Sequence, residues 1–520
     1  MSTSRRKDAE ERDDEGRISR RNLLFGAATS LIAPILGRPA AASAAPAPWT
    51  VKRSSASVPG TPRWQHAVGD PRGADIAVAV KRTREARFGL MFKHLPPFLP
   101  PDELLIDLAW EMVDPRPPAP DVSEAADAFD NHDIPAGFTF LGQFIDHDMT
   151  RDTSPLSSWQ LDPHGLTNFD TPFFDLGSVY GRGPRLDPQL YDQSTPGKLL
   201  LVEHDGVLDL PRAPDGTAFL GDPRNDENLI ICQLQIAFIR LHNQFLAAGR
   251  SFAEAQRLTR WHFQWVIVHD FLPHVVGQDV VDSLLVQTGS GPIRTKNAFY
   301  NPVNPTRPMM PIEYSVAAYR FGHSMIRPEY EAHDGHTRPI FGVEGFDLRG
   351  SRPLPPDLKI DWTYFYDIPG LPVPMGRNFA RLIDTKLSLP LTHLPPTVIA
   401  DTRGAITSLA ERNLLRGKRL GLPAGQDVAR AMGMTPLSNA ELGLTDPGWN
   451  EKAPLWFYVL KEAELGGGHR LGPIGGRIVA EVILGILALD KTSYFNARTP
   501  FSPDTADFKM GDLLHLAGAV

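Results

Sequence analysis

The residues best suited to chemistry lie in one run, Phe140-Leu141-Gly142-Gln143-Phe144-Ile145-Asp146-His147-Asp148. A base, an amide and two carboxylates fall between Gln143 and Asp148. Gln143 and His147 are four residues apart, so on a helix they share one face. Pro135 suits the first turn of that helix. Asp146 and Asp148 flank the histidine and must point elsewhere. One helix end can therefore serve a reaction pocket and a second, oxygen-liganded site. The competing reading is a solvated helix terminus.

Four further runs carry polar groups in patterned positions. Gly221-Asp222-Pro223-Arg224-Asn225-Asp226-Glu227-Asn228 precedes an apolar helix that Asp222 or Asn225 can cap. Its plain reading is a cap with a surface pair between Arg224 and Glu227. Tyr319-Arg320-Phe321-Gly322-His323-Ser324 reads as helix, where Gly322 costs stability unless something large approaches the backbone beside His323. A lone helical histidine is more often a packing residue. Ala410-Glu411-Arg412-Asn413-Leu414-Leu415-Arg416-Gly417 offers Asn413 as a hydrogen-bond partner and Arg416 as a partner for an acid, or is simply a helix end. The loop from Thr171 through Phe173 and Asp175 to Gly181 has oxygens that can wrap a hard cation, with Asp148 adding a carboxylate; calcium takes such ligands.

The elements that must position these groups are mainly helical. Apolar periodicity predicts helices over 135–146, 227–249, 253–273, 312–326, 401–416 and 478–488. Alternating strand patterns are scarce, and the Pro-rich stretch 305–311 reads as extended. The 49 prolines favour many helix starts and long ordered loops. The reading is one large, mainly α domain over 88–520, with long irregular connections and little β structure. A content of 42% hydrophobic and 22% charged residues is that of a globular protein. A net charge of -8 gives no basic footprint for nucleic acid. The one cysteine, Cys232, excludes an internal disulfide and a Cys-based metal cluster. His242, His269, His274 and the aromatics Phe173, Phe174, Trp261 and Trp265 read as packing residues.

The first 45 residues read as an address. Ser19-Arg20-Arg21-Asn22-Leu23-Leu24 leads into an apolar run and then Ala40-Ala41-Ala42-Ser43-Ala44-Ala45. This resembles a twin-arginine export signal with an A-x-A cleavage site. The run is short for a membrane anchor. Residues 46–87 read as an exposed arm. No later segment reads as a membrane span, because the best candidate, 478–489, is short and interrupted by Glu481.

Taken together and in order, the five runs resemble the animal-type haem peroxidases of the peroxidase–cyclooxygenase superfamily, in a bacterial version, over about residues 88–500. The resemblance implies that Gln143, His147 and Arg224 are the distal glutamine, histidine and arginine. It implies His323 as the proximal iron ligand and Asn413 as the amide bonded to its other ring nitrogen. Arg416 matches the arginine that pairs with a haem propionate, and Arg320 matches a peroxidase-branch arginine near the haem. Asp146 and Glu227 match the two acids that form ester links to haem b in many members. Asp148, Thr171, Phe173 (through its carbonyl) and Asp175 match the calcium ligands. The partners implied are hydrogen peroxide and a small electron donor such as a halide, thiocyanate or phenol, with no nucleic acid.

Three departures stand out. Asn228 replaces the methionine that bonds the haem in the mammalian white-cell enzyme, so no sulfonium link can form. Gly177 stands where the family offers calcium a side-chain oxygen. Lys418-Arg419-Leu420-Gly421 replaces the common Arg-Asp-His-Gly. Two other readings compete with the peroxidase. A fatty-acid dioxygenase of the same superfamily needs a tyrosine three residues before His323, where Arg320 stands and Tyr319 is one step early. A non-enzymatic exported calcium- or haem-binding surface protein would not need the full set of catalytic residues.

Overall fold

The computed structural model describes residues 87–114, 129–151, 168, 170–287, 291–302, 308–343, 345–395, 398–399, 405–505 and 507–520. The expected export signal and all but the last residue of the arm lie outside the described residues. The architecture is mainly helical, as expected. β structure among the described residues is confined to two-stranded pairs. The prediction of an extended 305–311 holds at Met310–Pro311, which pairs in parallel with Phe88–Gly89; residues 303–307 lie outside the described residues.

Helix α1 (Asp102–Glu111) packs on a later helix that bears Asn413. Strand β1 (Asp130–Pro135) pairs antiparallel with β2 (Phe379–Arg381) and leads directly into α2 (Gly137–Met149). Pro135 is thus the last residue of a strand, not the first turn of the helix. A proline is tolerated there because strand ends in a two-stranded pair need no N–H from it. The helix can begin at residue 137 only because that residue is glycine. A Cβ would lie 2.3 Å from the Tyr366 ring and 2.6 Å from the Phe365 carbonyl oxygen.

Helix α3 (Leu229–Ala247) is capped by Asn228, whose side chain accepts from Ile231 N–H at 2.9 Å. The predicted cap, Asp222, closes instead a 3-10 turn over Pro223–Asp226. Phe144 of α2 stacks on Phe238 of α3 at 4.7 Å, and Phe263 of α4 (Phe252–Val266) meets both edge-on at 5.6 and 5.2 Å. All three rings are fully buried. Each such ring removes a large apolar area from water, so this trio fixes the three helices around the distal segment.

The predicted helix over 253–273 is present in three pieces. α4 passes into a π turn, Ile267–Phe271, and then α5 (Leu272–Val276). The predicted helix over 312–326 is not α-helical. It is a π turn, Glu313–Ala317, followed by a 3-10 helix, Ala318–His323. The wide turn is held by Glu313, whose carboxylate accepts from the Met91 and Phe92 N–H groups at 3.0 Å each. The tight turn is held by Trp456, whose indole N–H donates to the Arg320 carbonyl at 3.2 Å. Such changes of helical pitch re-aim side chains and recur at functional sites.

Helix α6 (Leu409–Arg419) starts at a Ser408 cap and carries Asn413 inward. Its predicted first turn, 401–404, lies outside the described residues. α7 (Leu455–Leu465) and α8 (Pro473–Leu489) close the far side. α8 is apolar because it is buried inside the domain. Its one carboxylate, Glu481, is satisfied by Arg477 and the N–H groups of Ala298, Phe299 and Tyr300. No described helix is long and apolar enough to cross a membrane.

Candidate active site

A cavity of about 250 Å³ lies between α2 and the 3-10 helix. Gln143, Asp146 and His147 line it from α2, beside Glu227 and Asn228. Tyr319, Arg320, Gly322 and His323 line it from the opposite segment. The apolar side chains Leu391, Leu394 and Val398 form part of the remaining wall. Residues more than 170 positions apart in sequence thus face one space.

On the α2 side, His147 is buried, with its Nδ1 2.7 Å from Asn225 Oδ1. Gln143 donates to the Glu227 carboxylate and accepts from Asn228 Nδ2 at 3.2 Å. Asn228 therefore holds the glutamine from the side of the 3-10 turn that precedes α3. Burial raises the Glu227 carboxyl to about 7, against the lowering effect of the Arg224 charge. Burial also raises Asp146, opposed by Arg224 and Arg320 and by a 3.0 Å hydrogen bond from Thr150.

On the opposite side, His323 Nδ1 lies 2.8 Å from Asn413 Nδ2. The Asn413 amide oxygen accepts from Arg320. Burial, together with the Arg320 charge, lowers His323 to about 3, so its imidazole is neutral near pH 7. A Cβ on Gly322 would meet nothing within 4 Å, so open space lies beside the backbone there. This is the room that the glycine predicted for a large group.

Three of the predicted catalytic and haem-side residues, Asn413, Arg416 and Arg224, are not in the cavity wall. Arg416 is half-buried on α6, three residues beyond Asn413. Arg224 is bound on its Nε and Nη2 by Asp222, by Asp170 at 2.9 Å and by the carbonyls of His147 and Thr150 at 3.2 and 2.7 Å. The surface pair with Glu227 is not formed. Burial works against the Arg224 charge, but Asp222 and Asp170 more than offset it, so the guanidinium stays charged. Among the described residues its Nη1 makes no hydrogen bond.

The predicted cation loop is assembled around one backbone amide. Gly177 N–H points at both Asp148 Oδ1 and Asp175 Oδ1, at 3.0 Å each. Asp148 also accepts from Leu176 N–H at 3.0 Å, and Thr171 donates to Asp175 at 2.7 Å. Phe173 is buried in the same loop. Ser178, next to the Gly177 that lacks a ligand side chain, has a buried hydroxyl with no hydrogen-bond partner. Two converging carboxylates, two hydroxyls and local carbonyls fit a hard cation. No group of three or more His, Cys, Asp or Glu is clustered for a metal among the described residues, so a cation here would depend on neutral oxygens.

Sequence reasoning missed three partners. Asn225 lay within a run already singled out, but as a cap. Asp170, which binds Arg224, and Gln235, which accepts from Asn225 Nδ2 at 3.0 Å, carry no local signal. Lys418, in the departing segment after Arg416, pairs with Asp102 of α1. His242 bonds Tyr180 and the Gly197 carbonyl, and His269 bonds Tyr494, in keeping with packing roles.

Comparison with known proteins identifies the family. The family model for the animal haem peroxidases matches residues 151–446, more than half of the 520 residues, and begins four residues past His147. Chorion peroxidase of Aedes aegypti is 30% identical over 178 residues, covering 30% of this chain and 21% of that protein. Thyroid peroxidase of Rattus norvegicus is 28% identical over 195 residues, covering 32% and 20%. The chain thus matches only a minor share of the length of these relatives. Among solved structures, peroxidase A from Dictyostelium discoideum aligns with a TM-score of 0.58 at 16% identity, over 83% of this chain and 93% of that one. A fatty acid alpha-dioxygenase from Arabidopsis thaliana aligns with a TM-score of 0.54 at 16% identity, over 83% and 75%. At that identity both likenesses concern the fold. By the extent of the family match, the chain belongs to the animal haem peroxidase family.

Proposed function

We propose that this chain is a haem-dependent peroxidase that reduces hydrogen peroxide and oxidises small donors of the halide, thiocyanate or phenol class. The observation that carries this reading is the pair of neutral-partnered histidines, His147 and His323, facing one cavity from opposite elements. The family implies haem, and the donor set fits it. His323 would ligate the iron through Nε2. That requires the hydrogen on Nδ1, donating to the amide oxygen of Asn413. The amide must then turn from its present partner, which frees Arg320, with Arg416 nearby, for the propionates. A neutral amide leaves the imidazole less anionic than a carboxylate would.

Bound haem would supply the electrons that break the peroxide O–O bond and then take them back from the donor. The protein's part is proton handling and charge. His147 Nε2 takes a proton from one peroxide oxygen and returns it to the leaving oxygen. Arg224, outside the cavity wall but bound to the His147 carbonyl, would lend its positive charge to that oxygen from the end of α2. Gln143 orients the bound peroxide. Asp146 and Glu227 stand in the cavity wall as the ester-forming acids. Calcium on Asp148, Thr171, the Phe173 carbonyl and Asp175 would hold the residue beside His147. The N-terminal 45 residues would direct twin-arginine export to the periplasm or beyond, which suits cargo folded around a cofactor.

A dioxygenase is the second reading, because Tyr319 lines the cavity. Its hydroxyl, however, donates to the Gly142 carbonyl at 3.1 Å, which turns it into α2. The deciding experiment is an absorption spectrum of the haem-loaded protein before and after one equivalent of hydrogen peroxide. A Soret band that shifts and recovers with a donor supports the peroxidase, with His147→Ala keeping haem but losing the shift and His323→Ala losing normal ligation. A Soret band indifferent to peroxide, or a His147→Ala variant as active as the parent, refutes it. Oxygen uptake on fatty acid would select the second reading.

A further inference from the structure

His147 does not end its hydrogen bonding at Asn225. Asn225 Nδ2 donates to Gln235 Oε1 at 3.0 Å, and Gln235 Nε2 donates to the Ser178 carbonyl at 2.9 Å. Asn225, Gln235 and Ser178 are fully buried. The chain therefore runs from the catalytic-side imidazole through two amides to a backbone carbonyl by direct hydrogen bonds.

Its terminus fixes its polarity. A carbonyl oxygen can only accept, so Gln235 must present its NH2 to Ser178. The Gln235 oxygen then faces Asn225, and Asn225 must present its own NH2 to it. That leaves the Asn225 oxygen facing His147. An oxygen acceptor at 2.7 Å requires the hydrogen on Nδ1. The reverse polarity would set the Gln235 oxygen against the Ser178 carbonyl oxygen, two acceptors facing each other in a buried site.

We propose that the Asn225–Gln235–Ser178 relay holds His147 in the Nδ1–H tautomer, so that its Nε2 lone pair faces the cavity as a base. Asn225 and Gln235 are positioning residues. Neither amide can take up a proton at neutral pH, so no proton leaves His147 along the relay. The proposal rests on His147 being the peroxide base, but the tautomer itself can be read without turnover.

The test is 15N NMR of histidine-labelled protein loaded with zinc protoporphyrin, a diamagnetic stand-in for haem, with the His147 signal identified by its loss in His147→Ala. Wild type is expected to carry the hydrogen on Nδ1. Asn225→Ala, which removes the acceptor, and Gln235→Leu, which frees the Asn225 amide to turn, are each expected to give a mixture of tautomers. With haem, the rate constant for peroxide cleavage should fall about 10- to 100-fold in both, the range typical for loss of an orienting partner, with an unchanged resting Soret band. Asn225→Asp keeps an acceptor, so it should retain the tautomer and shift the acid limb of the pH–rate profile upward, because a carboxylate partner stabilises the imidazolium. A wild-type Nε2–H tautomer, or one indifferent to both variants, overturns the relay. A correct tautomer in a protein that does not cleave peroxide leaves the relay standing and removes the peroxidase reading.

Discussion

Arg224 gives the sharpest stability prediction, because the distal wall hangs on it. Its guanidinium meets Asp170 and Asp222, both with side chains 0% exposed, and is itself 26% exposed. It also binds the His147 and Thr150 carbonyls, so it ties the end of α2 to the loop before α3. Arg224→Met preserves much of the volume and removes the charge. Breaking one buried ion pair costs about 3–5 kcal/mol, chiefly because a carboxylate remains in a dry site. Asp222 keeps Arg151 at 3.7 Å and the N–H of residue 224 at 3.0 Å. The loss should therefore be nearer that of one pair than two, about 3–5 kcal/mol in all. Equilibrium urea unfolding measures it. Replacing Asp170 as well, in Arg224→Met/Asp170→Asn, removes the carboxylate that faced the lost guanidinium, so the double variant should be more stable than the sum of the single losses by about 1–3 kcal/mol. A loss in Arg224→Met below about 1 kcal/mol, the scale of an exposed pair, or strict additivity in the cycle, refutes the reasoning.

Three further outcomes are expected. Glu227 is raised by burial from 4.5 to about 7, so folding favours its protonated form. The associated stability is complete below about pH 4.5 and is lost as pH rises to about 7. Glu227→Gln, compared before haem loading, should match wild type at pH 4 and exceed it at pH 8 by at most about 3 kcal/mol, less where cavity water screens the charge; an equal difference at both pH values contradicts this. Asp146→Val/Glu227→Gln should release its haem into acidified organic solvent more readily than peroxide-treated wild type, and complete extraction from the treated wild type rules out ester links. Calcium titration should show one site that lowers in affinity with Asp175→Asn and raises the thermal midpoint when filled; no heat of binding and no shift in wild type would exclude calcium from this loop.

Short-range rules made much of the site legible. Gln143 and His147 share a helix face because of four-residue spacing, and both line the cavity. Gly322 marked open backbone because glycine in a helix has a cost that something must justify. The Thr171–Gly177 loop and Asp148 read together, and folding does bring Asp148 and Asp175 to one backbone amide, Gly177 N–H. Where the reading failed, a distant contact had overridden local preference. Pro135 ended a strand because residues 378 to 381 pair with it. The segment bearing His323 became a π turn and a 3-10 helix because Glu313 and Trp456 anchor it from outside.

The sequence by itself determined the mainly helical class and most of the residue types at the cavity, through periodicity and fixed spacings along one chain, and the resemblance of its five motifs pointed to the family. Tertiary structure alone decided where Arg224 points, which acids hold it, and which amide sets the His147 tautomer. Asp170, Asn225 and Gln235 act through hydrogen bonds that are directional and reach only about 3 Å, and no spacing rule records which distant groups folding brings within that reach.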